Sequence, residues 1–361
     1  MLAATATTGY WNLQSFWFLL IAILWIGYFV LEGFDFGVGI LQRFIGHDEE
    51  ERGTLVHTIG PVWDGNEVWL IVAGGATFAA FPAWYATLFS AFYLPLFVLL
   101  VGLIVRGVAI EYRHKRADAQ WRRRWDTLLA VSSAVPAMLW GVAFADFVRG
   151  IPISSNGTFT GSLLDLLVPY ALLGGLMTLA LFTFHGALFL TLRLDGPLER
   201  RARRAALASG PIAAVLVLVF LVWTYVNAVD AHEKGIVPGI IPIAAIVLPF
   251  VAGTLARAGR TAYAFTATAL SIVLVFATLF LNLYPRVLVS STNKAYSLTI
   301  FSTSSTHYTL TVMSIVAVVL MPVVLVYQAW TYWVFRARLK GETATPLEAI
   351  ARSPLGSGTS T

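Results

Sequence analysis

Cysteine is absent from the 361 residues. That excludes disulfides, thiolate metal sites, iron–sulfur clusters and covalent haem attachment through C-x-x-C-H. Charge is scarce: 12% of residues are Asp, Glu, Lys or Arg, against roughly 25% in a soluble domain. No G-x-x-x-x-G-K-[ST] loop and no dinucleotide fingerprint occurs, so nothing here points to ATP-driven work by this chain alone. The first residues, MLAATATTGYWN, lack the positive start of a removable signal peptide. The net charge of +5 is no nucleic-acid footprint, because the basic residues sit in short segments between apolar runs.

Oily sequence fills the chain instead, with 58% hydrophobic residues and a mean hydropathy of +0.76. Runs of about 20 apolar residues can cross the hydrocarbon core. Nine are expected: 13–41, 63–81, 85–111, 125–147, 163–192, 205–227, 238–256, 263–283 and 308–334. The fold class is therefore an all-α integral membrane protein with nine transmembrane helices. Residues 1–335 form the membrane domain and 336–361 a mobile tail. No internal repeat is evident in the sequence, and the Ser- and Thr-rich loop 283–307 is expected to pack on a partner.

Of the 24 lysines and arginines, 20 fall on one side of this alternation and 4 on the other, Arg149, Lys234, Arg286 and Lys294. The positive-inside rule then puts the N-terminus outside and the C-terminus in the cytoplasm. Trp11, Trp17, Trp84 and Trp223 fall near the outer surface, and Trp121, Trp125, Trp330 and Trp333 near the inner one, as aromatic belts.

Four acids interrupt the oil between residues 31 and 71: Glu32, Asp35, Asp64 and Glu67, with His57 close by. A charge at the centre of a lone membrane helix costs about 2.5–3.5 kcal/mol on insertion scales, so these acids need partners, water or protons. Residues three apart share a helix face, which pairs Glu32 with Asp35 and Asp64 with Glu67. Two facing carboxylate pairs near the inner surface can share protons and feed a relay. The alternative is helix capping, with Asp64 as N-cap of a helix starting at Gly65 and Glu67 as its capping-box partner. The two roles do not exclude each other. Gly33, Gly37 and Gly39, and Ala73-Gly74-Gly75-Ala76, are expected to permit close helix approach.

His185 is the one histidine well inside an expected span, and no second histidine lies at matching depth. Packing or proton relay therefore suits it better than haem ligation. Met138, Met177, Met313 and Met321 read as apolar packing. A di-metal site on Glu32, Asp35, Asp64, Glu67 and His57 lacks the Glu-x-x-His pairs of bundle di-metal proteins.

At GFDFGVG (33–39) and HTIGPVWDGNEVWLIVAGGATFAAFP (57–82) the chain resembles subunit II of cytochrome bd-type quinol oxidases. The likeness continues through RWDTLLAVSSAVPAMLWGVAFADFVRGIP, LYPRVLVSST and the last span, so it covers nearly the whole chain. The resemblance implies a heterodimeric respiratory complex of the bacterial cytoplasmic membrane that oxidises quinol and reduces dioxygen to water. It implies that the haems b and d belong to the partner, subunit I, and that this chain ligates no cofactor. Some relatives hold a quinone inside this subunit, and small single-span subunits join some complexes. Residue by residue, the family's proton-uptake Asp falls on Asp64, its neighbouring Trp on Trp63 and the GFD acid on Asp35. Some relatives carry Asp at the position of Glu32 and Gln at that of Glu67, which counts against Glu67 as an obligatory carrier. A stand-alone proton- or cation-coupled transporter shares the intramembrane acids, yet no broken-helix repeat accompanies them.

Overall fold

The computed structural model describes residues 12–230 and 239–339. Among them helix dominates, with one two-stranded ribbon. Helix α1 (Leu13–Ile45) starts on Asn12, whose side chain accepts the Ser15 N–H at 2.8 Å. At 1.5 Å per residue it is about 50 Å long. It runs through the middle of the bundle, and every residue from Glu32 to Gly39 is buried.

A short helix, α2 (Glu49–His57), caps that end of the bundle, with Asp48 as N-cap and three glutamates in its first turn, where the helix dipole favours negative charge. Helix α3 (Trp63–Ala80) follows, then α4 (Pro82–Ala91) and α5 (Tyr93–Tyr112). The expected span 85–111 is thus two helices broken at Phe92, and Pro82 opens the first of them at a position that needs no N–H donor.

Helix α6 (Ala119–Arg149) carries Pro136 within it. The expected span 163–192 begins with a 3-10 turn, Leu163–Leu166, before α7 (Pro169–Arg193). Helices α8 (Gly196–Asp230), α9 (Ile240–Arg257) and α10 (Thr261–Leu283) complete the second half. Among the described residues eight helices are long and apolar enough to cross a membrane: α1, α5, α6, α7, α8, α9, α10 and α12 (His307–Val334). Helix α3 has 18 residues, about 27 Å, and its acids lower its hydropathy.

The loop after α10 folds onto its own chain. Strands β1 (Arg286–Leu288) and β2 (Leu298–Thr299) pair antiparallel, and α11 (Ile300–Thr303) follows. Ser305 then donates its N–H to Ala80 O at 2.8 Å and its hydroxyl to Ala79 O at 2.6 Å, capping the far end of α3. Helix ends leave carbonyls without intrahelical donors, and this loop supplies two.

Small residues set the central crossings. A Cβ on Gly37 would collide with the Phe182 carbonyl and Gly186, and one on Gly141 with the Gly174 carbonyl. Backbones of α1, α6 and α7 therefore touch. A Cβ on Gly74 or Gly75 would meet open space, so among the described residues no helix makes the close approach that these small residues permit. Helix α12 is similarly bare, with Leu310 its single buried residue.

The outer tryptophan belt is also corrected. Trp17 and Trp84 are 4% and 2% exposed. Trp17 is turned inward because its indole N–H donates to Leu310 O and Ser314 Oγ. Trp223 is exposed as expected, and Trp11 lies outside the described residues. Of the expected tail, 336–339 run beside the end of α7, with Leu339 N–H on Arg193 O at 2.7 Å; 340–361 lie outside the described residues.

Candidate functional site

Glu32 and Asp35 sit on the buried face of α1, and both are 0% exposed. Glu32 lies 13 residues before the end of α1, about 20 Å along its axis. Burying a carboxylate there requires a counter-charge, and α5 supplies it. The Arg106 guanidinium forms an ion pair with Glu32, and both side chains are fully buried. Its other face lies 5.0 Å from the Phe36 ring centroid, a cation–π contact. Glu67 of α3 approaches the same guanidinium, Oε2 to Nη1 3.8 Å, and keeps 21% of its side chain exposed. Asp35 is within electrostatic reach of the same charge.

Asp35 is held separately. Asn66 donates its amide to Asp35 Oδ2 at 2.7 Å. The Asn66 oxygen accepts from Gln328 Nε2 at 3.1 Å and from the Tyr332 hydroxyl at 2.7 Å. Trp69 Nε1–H in turn reaches Gln328 Oε1 at 3.2 Å. Helices α1, α3 and α12 are joined by this chain of side-chain hydrogen bonds.

Asp64 lies outside the buried group. It is exposed in the first turn of α3, and its Oδ1 accepts the Gly65 N–H at 2.7 Å. The capping box does not form: α3 begins at Trp63, its N-cap is Val62, and no side chain bonds the cap. Trp63 is half-buried, and its ring packs over Gly107, the residue after Arg106. The acids thus grade inward, from exposed Asp64 through part-exposed Glu67 to buried Glu32 and Asp35.

His57 does not join them. It ends α2 and is exposed. Burial and the positive charges of Arg113 and Arg122 hold the His114 ring below its ordinary value. The Arg106 guanidinium stands between Glu32 and Glu67, and among the described residues no group of three His, Cys, Asp or Glu is placed to hold a metal ion.

His185 has both ring nitrogens engaged. Nδ1 faces Thr268 Oγ1 at 2.7 Å, Nε2 faces Val30 O at 3.3 Å, and the ring stacks on Phe265 at 4.4 Å. The Thr268 hydroxyl also lies 2.9 Å from Phe265 O, to which it donates.

Sequence reasoning missed Arg106 and the neutral triad Asn66, Gln328 and Tyr332. Arg106 falls inside the expected span 85–111, where it enters only the count of basic residues. Its signal was present, because it stands inside the apolar run VGLIVRGVAI, and a cation at that depth implies an acid nearby.

The family model described as "Cytochrome bd terminal oxidase subunit II" matches residues 13–335. The chain belongs to this family. It is 40% identical over 328 residues to cytochrome bd ubiquinol oxidase subunit 2 of Bacillus subtilis, covering 91% of this chain and 97% of that protein. To cytochrome bd-I ubiquinol oxidase subunit 2 of Escherichia coli it is 35% identical over 363 residues, covering 91% and 96%. Among solved structures, a chain of the bd oxidase from Geobacillus thermodenitrificans superposes with a TM-score of 0.72 at 14% identity, covering 90% of this chain and 98% of that one. That superposition speaks to the fold alone: the membrane-helix bundle described above is shared with a bd oxidase chain.

Proposed function

We propose that the chain is the haem-free subunit II of a quinol:dioxygen oxidoreductase of the bacterial cytoplasmic membrane. In this reading it stabilises the haem-bearing subunit I and admits cytoplasmic protons for the reduction of dioxygen to water. Dioxygen reduction consumes protons, and drawing them from inside while quinol releases its own outside makes turnover electrogenic without a pump.

One observation carries the proposal: the inward grading of the acids from the bundle end that bears α2 and the arginines Arg52, Arg113 and Arg201. Asp64 collects protons from water, with Trp63 shielding one flank. Glu67 is half-way in, and Glu32 and Asp35 are the inner carriers. Arg106 offsets one negative charge, so three acids face one fixed cation. The remaining carboxylates are neutral only when they hold protons, and moving those protons is what a relay does.

The basic end is then cytoplasmic, and nine helices cross, with α3 as the short ninth beside the eight apolar ones. The engaged nitrogens of His185 suit a chain that ligates no haem. The bare faces of α3 and α12, with Gly74 and Gly75 open, suit a seat for subunit I, because small residues let a second helix come close.

The deciding experiment is Asp64→Asn in the assembled complex, with oxygen consumption and proton uptake followed together. Turnover should fall about tenfold or more as the relay loses its first carrier, at unchanged haem content. Full turnover would remove Asp64 from the path. A parallel loss of haem would assign it to assembly instead.

A further inference from the structure

At the basic end of the bundle α1, α7, α10 and α12 enclose a cavity of about 370 Å3. Its depth is apolar, walled by Phe34, Phe189, Leu192 and Phe265. The wall is rigid: Phe34 stacks on Phe189 at 4.1 Å, and Phe265 on His185 at 4.4 Å. Its mouth carries two arginines, Arg193 and Arg336.

These two cations are built differently from their neighbours. Arg201 pairs with Glu51, Arg203 with Glu199, and Arg338 with Asp195 at 2.9 Å. Arg193 donates Nη1 to Ala337 O at 2.7 Å, which brings it beside Arg336. Arg336 lies over the Trp333 ring at 4.3 Å and donates to Trp333 O. Among the described residues neither has a carboxylate partner. Each guanidinium has five N–H donors, so most remain for something else.

Apolar walls below two acid-free guanidinium groups are complementary to an amphiphile with an anionic head. We infer that this groove holds one anionic phospholipid, its acyl chain along Phe34, Phe189 and Phe265 and its phosphate between Arg193 and Arg336. Arginine forks match phosphate oxygens in pairs, and basic pockets between membrane helices take lipid head groups. A free phosphate would have no use for the aromatic walls. A neutral quinone would leave two cations without an anion. The lipid fastens the segment after α12 to the end of α7, where Leu339 already pairs with Arg193. The inference does not rest on the proton path, although Tyr332, which bonds Asn66, shares a wall with the cavity, and the orientation above decides only which leaflet supplies the lipid.

The test uses the intact oxidase complex, stripped of lipid in detergent and titrated with phosphatidylglycerol under native mass spectrometry. Phosphatidylcholine of the same chains, inorganic phosphate and a quinone are run beside it. The wild-type complex should retain one more phosphatidylglycerol than the Arg193→Gln/Arg336→Gln variant. Arg336→Gln alone, at an exposed position, should bind it about fivefold more weakly. Leu192→Phe, which fills the cavity and leaves both arginines, should also lose it. If the double variant fails to assemble, the last two variants decide the matter. Equal retention by wild type and variants overturns the inference. So does phosphatidylcholine binding as well as phosphatidylglycerol, phosphate competing as strongly as lipid, or a quinone taking the site regardless of the arginines.

Discussion

Asp126 and Glu32 are both fully buried carboxylates facing arginine, yet their surroundings differ in the ratio of charges. Asp126 meets two cations: Arg113 Nε at 2.5 Å on one oxygen and Arg52 Nη1 at 3.5 Å on the other. Gln42 holds the Asp126 backbone carbonyl at 2.6 Å, and Arg113 reaches on to Glu49 O at 2.7 Å. This knot ties α1, α2 and α6 together, with both carboxylate oxygens engaged. Around Arg106 the ratio is reversed, with three acids for one guanidinium. Beyond the ion pair, Glu32 Oε2, Asp35 Oδ1 and Arg106 Nε and Nη2 have no hydrogen-bond partner among the described residues. A saturated buried ion pair resists change, because breaking it strands a charge. An unsaturated one can accept a proton or a water without first breaking anything. The first arrangement suits a fastening and the second a conduit.

Removing the cations should give the largest effects. Arg106→Leu strands a buried carboxylate, at a cost of about 3–5 kcal/mol, whereas Arg113→Leu leaves Asp126 with Arg52 alone and should cost less. Thermal unfolding and the yield of assembled complex should fall for both. The complexes that survive should differ: Arg113→Leu keeps its turnover per haem, and Arg106→Leu loses it. Equal turnover in the two variants would erase the distinction between fastening and conduit.

Neutral isosteres of the acids sharpen it further. Glu32→Gln should retain haem and lose about tenfold or more in turnover, as expected when a proton carrier is removed. Asp126→Asn should cost about 1–3 kcal/mol of stability and leave turnover per haem unchanged. Tyr332→Phe touches only the support of Asp35, through one hydrogen bond to Asn66. A loss of about 1 kcal/mol in stability should accompany a small fall in turnover. A large fall would make the hydroxyl a carrier itself.

Much of this contrast can be read in the sequence, and the unread part has a common cause. Glu32 and Asp35 stand out because acids in an apolar helix are costly wherever the helix goes. Asp64 and Glu67 are one turn apart on a second helix, which local spacing reveals. Asn66 is bonded to Gln328 and Tyr332, which lie 262 and 266 residues away in sequence. No local pattern pairs them, and neutral side chains in an apolar run carry little warning of their own. Arg106 stands inside the expected span 85–111, but counting it only toward the charge bias hides its need for an acid partner. Gly74 and Gly75 show the converse limit: a small-residue stripe tells that a close approach is possible and not with whom.

The smallest expected effect lies at the exposed extreme of the comparison. Glu51 of α2 pairs with Arg201 of α8, where side-chain exposures are 23% and 16%. The hydrogen bond from Arg201, with that from the His47 N–H, holds the Glu51 carboxyl at about 2, below its ordinary 4.5. A lowered value means the charged form is favoured in the folded chain. Its contribution is therefore complete above pH 4.5 and disappears as pH falls from there through about 2. The shift alone overstates the energy, because water and salt screen an exposed pair, and about 1 kcal/mol or less is expected. Glu51→Gln should accordingly lower the thermal midpoint slightly at pH 7, with the gap to wild type narrowing as the pH is taken from 5 to 3. Added salt should shrink the same gap at pH 7, whereas the buried Asp126 knot should not respond. A gap that persists unchanged into acid would mean that Glu51 pins α2 by packing rather than by charge.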